Sequence, residues 1–341
     1  MNKLLLVTDA WHPQINGVVR SLARTIDQLV DMGIEVDVLS PGEYWTVPCP
    51  TYPEIRLSLA KPGSVRERVE ESGAHFFHLA TEGPLGLLAK RAILGAGKTF
   101  TTSYHTRFPE YVSARVPIPE SWSYSLLRRF HNAGTGCMVA TKSLEDDLRS
   151  RGFLNLMRWS RGVDHTVFRP VTPAPFDLPK PVFVYVGRVA VEKNIEAFLD
   201  LDLPGSKLVV GSGPQLTSLA RRYPQAVFTG AKLDEDLVAH YCAGDVFVFP
   251  SLTDTFGNVI LEALACGLPV AAFPVTGPID ILTDPDVGVV DDDLQAACLR
   301  ALDLSKAGCR EFALQFTWRK CAEQFLDNLL LAQENECRTA A

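Results

Sequence analysis

The sequence predicts an α/β fold of two doubly wound domains, and three observations carry that expectation. Short apolar runs alternate with stretches whose apolar residues recur every three or four positions, as in parallel sheets covered by helices. A length of 341 residues corresponds to about two domains of roughly 150 residues. Between the halves, residues 171–181 hold Pro173, Pro175, Pro179 and Pro181, the composition of a linker. The expected domains are therefore 1–170 and 182–315, with 316–341 as a final helix and tail.

The first half opens on Lys3–Thr8, an apolar run read as a strand. It is too short for a secretory leader, and Asp9 and His12 end it. A loop, 9–17, leads to a helix with Val18, Leu22, Ile26 and Leu29/Val30 at helical spacing, and Ile34–Leu39 is a second strand. A crossover of this length makes the two strands a parallel pair. Gly17 opens the helix, where a tight loop lets backbone approach a phosphate; an ordinary turn glycine explains it equally well. Residues 40–62, rich in Pro, Tyr and Trp, read as loop. Ala74–Leu79 is a strand, Pro84–Leu94 a helix and Lys98–Tyr104 a strand. His105 follows at the C-terminal end of that strand, the edge where such sheets bind ligands; a hydrogen-bonded loop histidine is the plainer alternative. In 115–131, Trp122, Leu126, Arg129 and Phe130 fall at helical spacing, with Arg128 beside them. Such a helix either lies on an anionic membrane surface or buries one face in the core. Gly136–Thr141 is a strand and Ser143–Ser150 a helix, capped by Thr141 or Ser143.

The second half starts with the strand Val182–Val186. Arg188 and Lys193 straddle the turn that follows, and two cations there suit a diphosphate, one by a forked contact and one as a point charge. Lys207–Val210 ends in Gly211-Ser212-Gly213-Pro214, which lacks the third glycine of a dinucleotide fingerprint. Ala226–Thr229 leads to Gly230, and Leu233–Tyr241 is helical. Asp245–Phe249, Leu268–Phe273, Gly288–Val290 and Leu294–Leu302 complete the second domain, and Phe316–Leu331 is the last helix.

The most informative stretch is 249–263. The buried strand Val246–Phe249 is broken by Pro250-Ser251, and a helix starts near Phe256 and runs to Cys266. A strand, a short loop and a helix N-terminus present backbone N–H groups to an anion, here those of Phe256, Gly257 and Asn258. Asp254 and Glu262, eight positions apart, flank them; the plain alternative makes Asp254 a helix cap. Amides suit phosphates and carboxylates suit sugar hydroxyls, so a nucleotide sugar is the ligand that needs both.

These residues resemble the E-x7-E motif of retaining family-4 glycosyltransferases, with Asp254 in place of the first Glu. The form T-D-T-F-G-N-V-x-L-E-A is similar to the branch of sulfolipid synthases, glycosyl- and glucuronosyl-diacylglycerol synthases and GDP-mannose-dependent α-mannosyltransferases. Gly187-Arg188 with Lys193-Asn194 resembles that family's G-R-x-x-x-x-K-N, and Gly162-Val163-Asp164 with Phe168-Arg169-Pro170 resembles its G-V-D-x-x-x-F-x-P. The resemblance implies the GT-B architecture: two Rossmann-like domains facing a cleft, the C-terminal helix crossing back to the first. It implies Glu262 on the ribose, Asp254 on the sugar, His105 near the reaction centre, the Gly17 loop facing the diphosphate, and base readout near Gly230. It implies transfer with retention, without an enzymic nucleophile; the departing phosphate oxygen is available for the acceptor's proton, and no general base is assigned.

The net charge of −7 combines a mildly basic half, 1–170, with a strongly acidic remainder, which argues against nucleic-acid binding. Of the eight cysteines, none shows C-x-x-C spacing; Cys137, Cys242 and Cys266 read as reduced core residues. Asp200-Leu201-Asp202 and Asp284-Pro285-Asp286 match a metal-binding D-x-D, but one lies where a helix ends and the other in an acidic turn, so no metal and no cofactor is expected. A Rossmann oxidoreductase lacks its fingerprint here, and a non-catalytic sugar-nucleotide binder is disfavoured by the intact Arg188, Lys193 and Glu262. The expectation is a hexosyl or hexuronosyl transferase using UDP-glucose or UDP-glucuronate, or alternatively GDP-mannose. Its expected acceptor is a lipid such as diacylglycerol, at the inner face of the cell membrane, with Trp122, Arg128 and Arg129 touching the anionic surface.

Overall fold

The computed structural model describes residues 2–14, 16–49, 52–113 and 119–340. The chain divides into two compact units, Met1–Arg161 with Trp318–Ala341, and Gly162–Thr317.

Unit 1 holds, in order, β1 (Lys3–Val7), α1 (Gly17–Asp31), β2 (Glu35–Leu39), β3 (Thr46–Cys49), β4 (Tyr52–Ser58), α2 (Pro62–Glu71) and β5 (Phe76–Leu79). There follow α3 (Pro84–Gly95), β6 (Thr101–Tyr104), α4 (Phe108–Ser113), α5 (Glu120–His131), β7 (Gly136–Val139), α6 (Lys142–Ser150) and β8 (Leu156–Arg158). The parallel sheet runs β2-β1-β5-β6-β7-β8. Its two faces show in β1, where side chains alternate. Leu5 and Val7 pack with Val65, Val69, Ala89 and Ile93 of α2 and α3. Leu4 and Leu6 pack with Leu22 and Leu29 of α1 on the other side. A strand buried on both faces reads as a continuous apolar run, which is why it was visible.

Unit 2 holds β9 (Val182–Val186), α7 (Ile195–Leu199), β10 (Ser206–Val210), α8 (Leu216–Arg222), β11 (Val227–Phe228), α9 (Asp234–Cys242) and β12 (Val246–Phe249). It continues with α10 (Asn258–Ala265), β13 (Val270–Ala272), α11 (Pro278–Ile281), β14 (Gly288–Val290), α12 (Leu294–Ala301) and α13 (Lys306–Ala313). Its parallel sheet runs β11-β10-β9-β12-β13-β14. The strand order reverses between β9 and β12, and ligands of open parallel sheets bind at that reversal, beyond the strands' C-terminal ends. Residues 171–181 run along this unit: Ala174 N–H donates to the Ala239 carbonyl (2.9 Å), and Phe176 packs edge-on against His240.

The last helix, α14 (Trp318–Ala340), crosses back to unit 1, as the fold class requires. Cys321, Ala322, Phe325 and Leu329 share one face and join the core of α1 and β1. Trp159 Nε1 donates to the Cys321 carbonyl (3.2 Å), and Asn328 donates to the Arg158 carbonyl (2.8 Å).

Three expectations are corrected. Residues 40–62 are not loop: β3 and β4 pair as an antiparallel hairpin, and α2 begins at Pro62. A hairpin outside the main sheet tolerates the prolines that looked like loop, because edge strands have N–H positions that need no partner. The helix expected across 115–131 is α5; residues 114–118 lie outside the described residues. On α5, Phe130 is buried with Tyr124 and Leu127 and faces the core, not a membrane. Trp122 and Leu126 remain 72% and 63% exposed. At about 3.6 residues per turn, Arg129 shares their face and Arg128 lies on the flank. There Arg128 donates to the Arg151 carbonyl (2.9 Å). The third correction concerns the start of α10 and is described with the site. Among the described residues, no helix is long and apolar enough to cross a membrane.

Candidate functional site

The site in unit 2 is built by the loops that follow β9 and β12 at the strand-order reversal. Three bonds lace the loops together. Asn194, in the left-handed region (φ +52°), donates from Nδ2 to the Pro250 carbonyl at 3.0 Å. Ser251 and Thr253 hydroxyls donate to the Glu192 carbonyl at 3.4 and 3.3 Å. Asparagine tolerates that backbone region better than other side chains. The single 3-10 turn Val191–Lys193 then aims Lys193 at the second loop.

Lys193 Nζ lies 2.5 Å from Asp254 Oδ1. The structure thus pairs the residue expected on the diphosphate with the residue expected on the sugar, 61 positions apart in sequence. Asp254 is therefore not the cap of α10. Arg188 projects from the start of the first loop, its Nε 3.8 Å from Glu192 Oε1. Its main chain is anchored separately, since the Tyr185 hydroxyl donates to the Arg188 carbonyl at 2.8 Å.

Helix α10 starts at Asn258, later than expected, with Gly257 as its cap (φ +92°) and no capping side chain. Of the three amides expected at the helix start, only that of Asn258 belongs to the first turn. The Phe256 ring is buried and sits before it. Gly257 is favoured as glycine by its positive φ, and a Cβ there would also crowd the Phe249 ring at 3.0 Å. The N-terminus of α10, and with it the positive end of the helix dipole, follows directly on the loop carrying Asp254. Sequence reading missed Gly277, at φ +98°, where a Cβ would come within 2.4 Å of the Phe256 carbonyl. Its only mark in sequence is Thr276-Gly277-Pro278, an ordinary turn signal.

Glu262 lies one helical stretch further on, 7% exposed, and its Oε2 accepts the Tyr241 hydroxyl from α9 at 2.9 Å. Nothing in the apolar pattern of α9 singled out Tyr241. Gly230 follows β11 at φ +72°, and its carbonyl accepts the Gly211 N–H (2.8 Å), tying together the loops after β10 and β11. The aspartate pairs are locally engaged: Asp200 accepts the Tyr223 hydroxyl (2.6 Å), and Asp284 accepts the Asp286 N–H (2.9 Å). Among the described residues, no three His, Cys, Asp or Glu side chains cluster as a metal site.

In unit 1, Gly17 opens α1 directly after Asn16, whose side chain accepts the Val19 N–H at 3.0 Å. His105 sits beyond β6 with Nδ1 3.3 Å from the Arg161 guanidinium and its ring against Trp159. Burial, followed by the Arg161 charge, holds its pKa well below the usual histidine value, so the ring is neutral. Asp9, another residue the sequence did not flag, accepts N–H groups of Leu85 (2.8 Å) and Gly86 (3.2 Å) and so pins the start of α3.

Comparison with known proteins accounts for both units. Residues 15–167 match the family model described as Glycosyltransferase Family 4, and residues 180–304 match the model described as Glycosyl transferases group 1. A sulfoquinovosyl transferase of Arabidopsis thaliana is 29% identical over 319 residues, 83% of this chain and 62% of the plant enzyme. A GDP-mannose-dependent alpha-mannosyltransferase of Mycobacterium tuberculosis is 28% identical over 316 residues, 84% of this chain and 83% of that one. Among solved GT-B structures, the sucrose-phosphate synthase of Thermosynechococcus elongatus superposes with a TM-score of 0.76 at 20% identity, covering 100% of both chains. Anabaena HepE in complex with UDP-glucose gives 0.70 at 15% identity, covering 96% of this chain and 99% of that one. The chain belongs to this family of glycosyltransferases, and its fold is GT-B.

Proposed function

We propose that the protein is a retaining, metal-independent glycosyltransferase that moves a hexosyl or hexuronosyl group from a nucleotide sugar to a membrane lipid such as diacylglycerol. The observation that carries the reading is the convergence of Arg188, Lys193, Asp254 and the start of α10 at the strand-order reversal of unit 2. In the reaction the anomeric C–O bond to the diphosphate breaks and a bond to the acceptor oxygen forms on the same face. The negative charge that grows on the diphosphate falls to Arg188, Lys193 and the Asn258 amide at the start of α10. Preorganised charge of this kind is the largest single contribution in many enzymes. Glu262 holds the ribose, Asp254 the sugar hydroxyls, and the departing phosphate oxygen takes the acceptor's proton. Gly17 faces the diphosphate, Gly230 the base, and His105 the sugar.

UDP-glucose or UDP-glucuronate is the favoured donor, and the UDP-glucose complex of the Anabaena neighbour supports that choice. A GDP-mannose donor is the second reading, supported by the mannosyltransferases of M. tuberculosis and Corynebacterium glutamicum among the relatives. The test is a panel of UDP-glucose, UDP-glucuronate, UDP-sulfoquinovose and GDP-mannose against a lipid extract. One donor is expected to yield a lipid-soluble α-linked product; transfer only to soluble sugars or protein contradicts the lipid acceptor.

Two cations doing a metal's work predict full activity in excess EDTA. Loss of activity that Mn²⁺ restores would return one of the aspartate pairs to consideration. Asp254→Glu restores the commoner family residue but moves the carboxylate by roughly 1.5 Å. It is expected to shift the preference among sugars more than the preference between UDP and GDP, measured as kcat/KM across the panel. A uniform loss would remove Asp254 from the sugar.

Exposed Trp122 and Leu126 with Arg129 on their face, and Arg128 beside it, motivate a peripheral position on the inner face of the cell membrane. Each cation near an anionic surface contributes about 1 kcal/mol. Co-sedimentation with vesicles is expected to require anionic lipid, to weaken with salt, and to fall in Arg128→Glu/Arg129→Glu. Equal binding to neutral vesicles argues against this surface.

A further inference from the structure

Arg161 is a buried cation that the reading above leaves unused. It is 5% exposed. Its guanidinium donates to the carbonyls of Trp159 (2.6 Å) and Ser160 (2.9 Å) and stacks 4.1 Å from the centre of the Trp159 ring. Its remaining partner is His105 Nδ1, at 3.3 Å. All of these partners are neutral. Burial pulls the guanidinium pKa down to about 10. Burying a cation against neutral groups is costly, and such arrangements gather at functional sites.

The direction of the contact is informative. Guanidinium nitrogens only donate, so Nδ1 of His105 accepts and carries no proton. A neutral imidazole then has its proton on Nε2. We propose that Arg161 is a positioning residue that locks His105 as the neutral Nε2–H tautomer, making the ring a hydrogen-bond donor to the transferred sugar and removing it as a general base. With Nδ1 occupied and Nε2 protonated, no lone pair is left to take the acceptor's proton. This role rests on the reading of His105 as a sugar contact. The charged and titratable groups acting on the ring are Arg161, His78 of β5 and His131 of α5, all of which lower its pKa after burial. His131 is itself hydrogen-bonded to Glu82 (2.9 Å) and lies 3.5 Å from the Cys137 thiol.

The decisive measurement is long-range ¹H–¹⁵N correlation on the full-length protein with labelled histidine, His105 being assigned by its loss in His105→Gln. The wild type is expected to show one neutral Nε2–H tautomer, unchanged between about pH 5 and about pH 8, the range in which an unperturbed histidine titrates. Arg161→Lys keeps that spectrum and Arg161→Met gives mixed tautomers. An Nδ1–H ring or a titrating imidazolium in the wild type overturns the inference, whether or not either Arg161 variant folds. Turnover of UDP-glucose and GDP-mannose with lipid extract forms the second arm. It should stay within about threefold in Arg161→Lys and fall at least about tenfold in Arg161→Met, as when a tautomer-fixing partner is lost. Full turnover in His105→Gln beside the expected spectrum would overturn the sugar-contact reading and the role built on it. A wrong tautomer overturns the inference while leaving that reading in place.

Discussion

Lys193→Ala and Arg188→Ala are each expected to lower kcat by about 10²–10³ while the protein stays folded. In the proposed mechanism the cause is the charge that accumulates on the leaving diphosphate, which each cation stabilises more in the transition state than in the bound donor. Both side chains leave from the loop after β9 and add nothing to the core. Arg188 is held through its main-chain carbonyl by Tyr185, a contact that truncating the side chain leaves intact. Lys193 differs, because its removal strands the Asp254 carboxylate, and some stability goes with it. The double variant Lys193→Ala/Asp254→Asn separates the two effects. It should recover the melting temperature lost in the single variant but not the turnover. Near-normal kcat in either single variant refutes the diphosphate role.

Glu262→Gln is expected to reduce kcat/KM for the nucleotide sugar by about 10–100-fold, mostly through KM. Glu262 is buried on α10, and the substitution keeps its shape and an oxygen to accept from the Tyr241 hydroxyl. In the proposed ribose-binding role, what is lost is the charge in its bonds to the ribose hydroxyls, and hydrogen bonds to charged groups contribute about 1.5–3 kcal/mol. Glu262→Leu goes further, because it removes the buried carboxylate to which the Tyr241 hydroxyl donates. That should cost about 1–3 kcal/mol of stability in addition, read as a drop in the denaturation midpoint. Unchanged KM in Glu262→Gln would place the ribose elsewhere.

The strands were legible where they are buried on both faces. β1, β9 and β12 read as unbroken apolar runs, whereas the start of α10 was read at Phe256, two residues ahead of Asn258. The hairpin β3–β4 was not, because its prolines and aromatics have the composition of a loop and its pairing depends on register rather than on burial. Short helices such as α7, α8 and α13 span too few turns for a period to emerge. At the site, Arg188, Lys193, Asp254 and Glu262 were visible as charges at motif spacing. The Lys193–Asp254 pair was not, since it joins two loops distant in sequence and close only because β9 and β12 are neighbours. Tyr241, Gly277 and Arg161 were invisible for a related reason. Each acts on a partner supplied by the fold, and each looks like core, turn or surface when read alone.

The central claim is that the cations and the helix start at the reversal between β9 and β12 bind a nucleoside diphosphate. Calorimetric titration of UDP and of GDP into the full-length protein in EDTA tests it most directly. Saturable binding of one of the two is predicted, weaker by about 10-fold or more in both Arg188→Ala and Lys193→Ala, in line with loss of a charge-assisted bond of about 1.5–3 kcal/mol. Binding of neither nucleotide, or affinity unchanged in both variants, would contradict it.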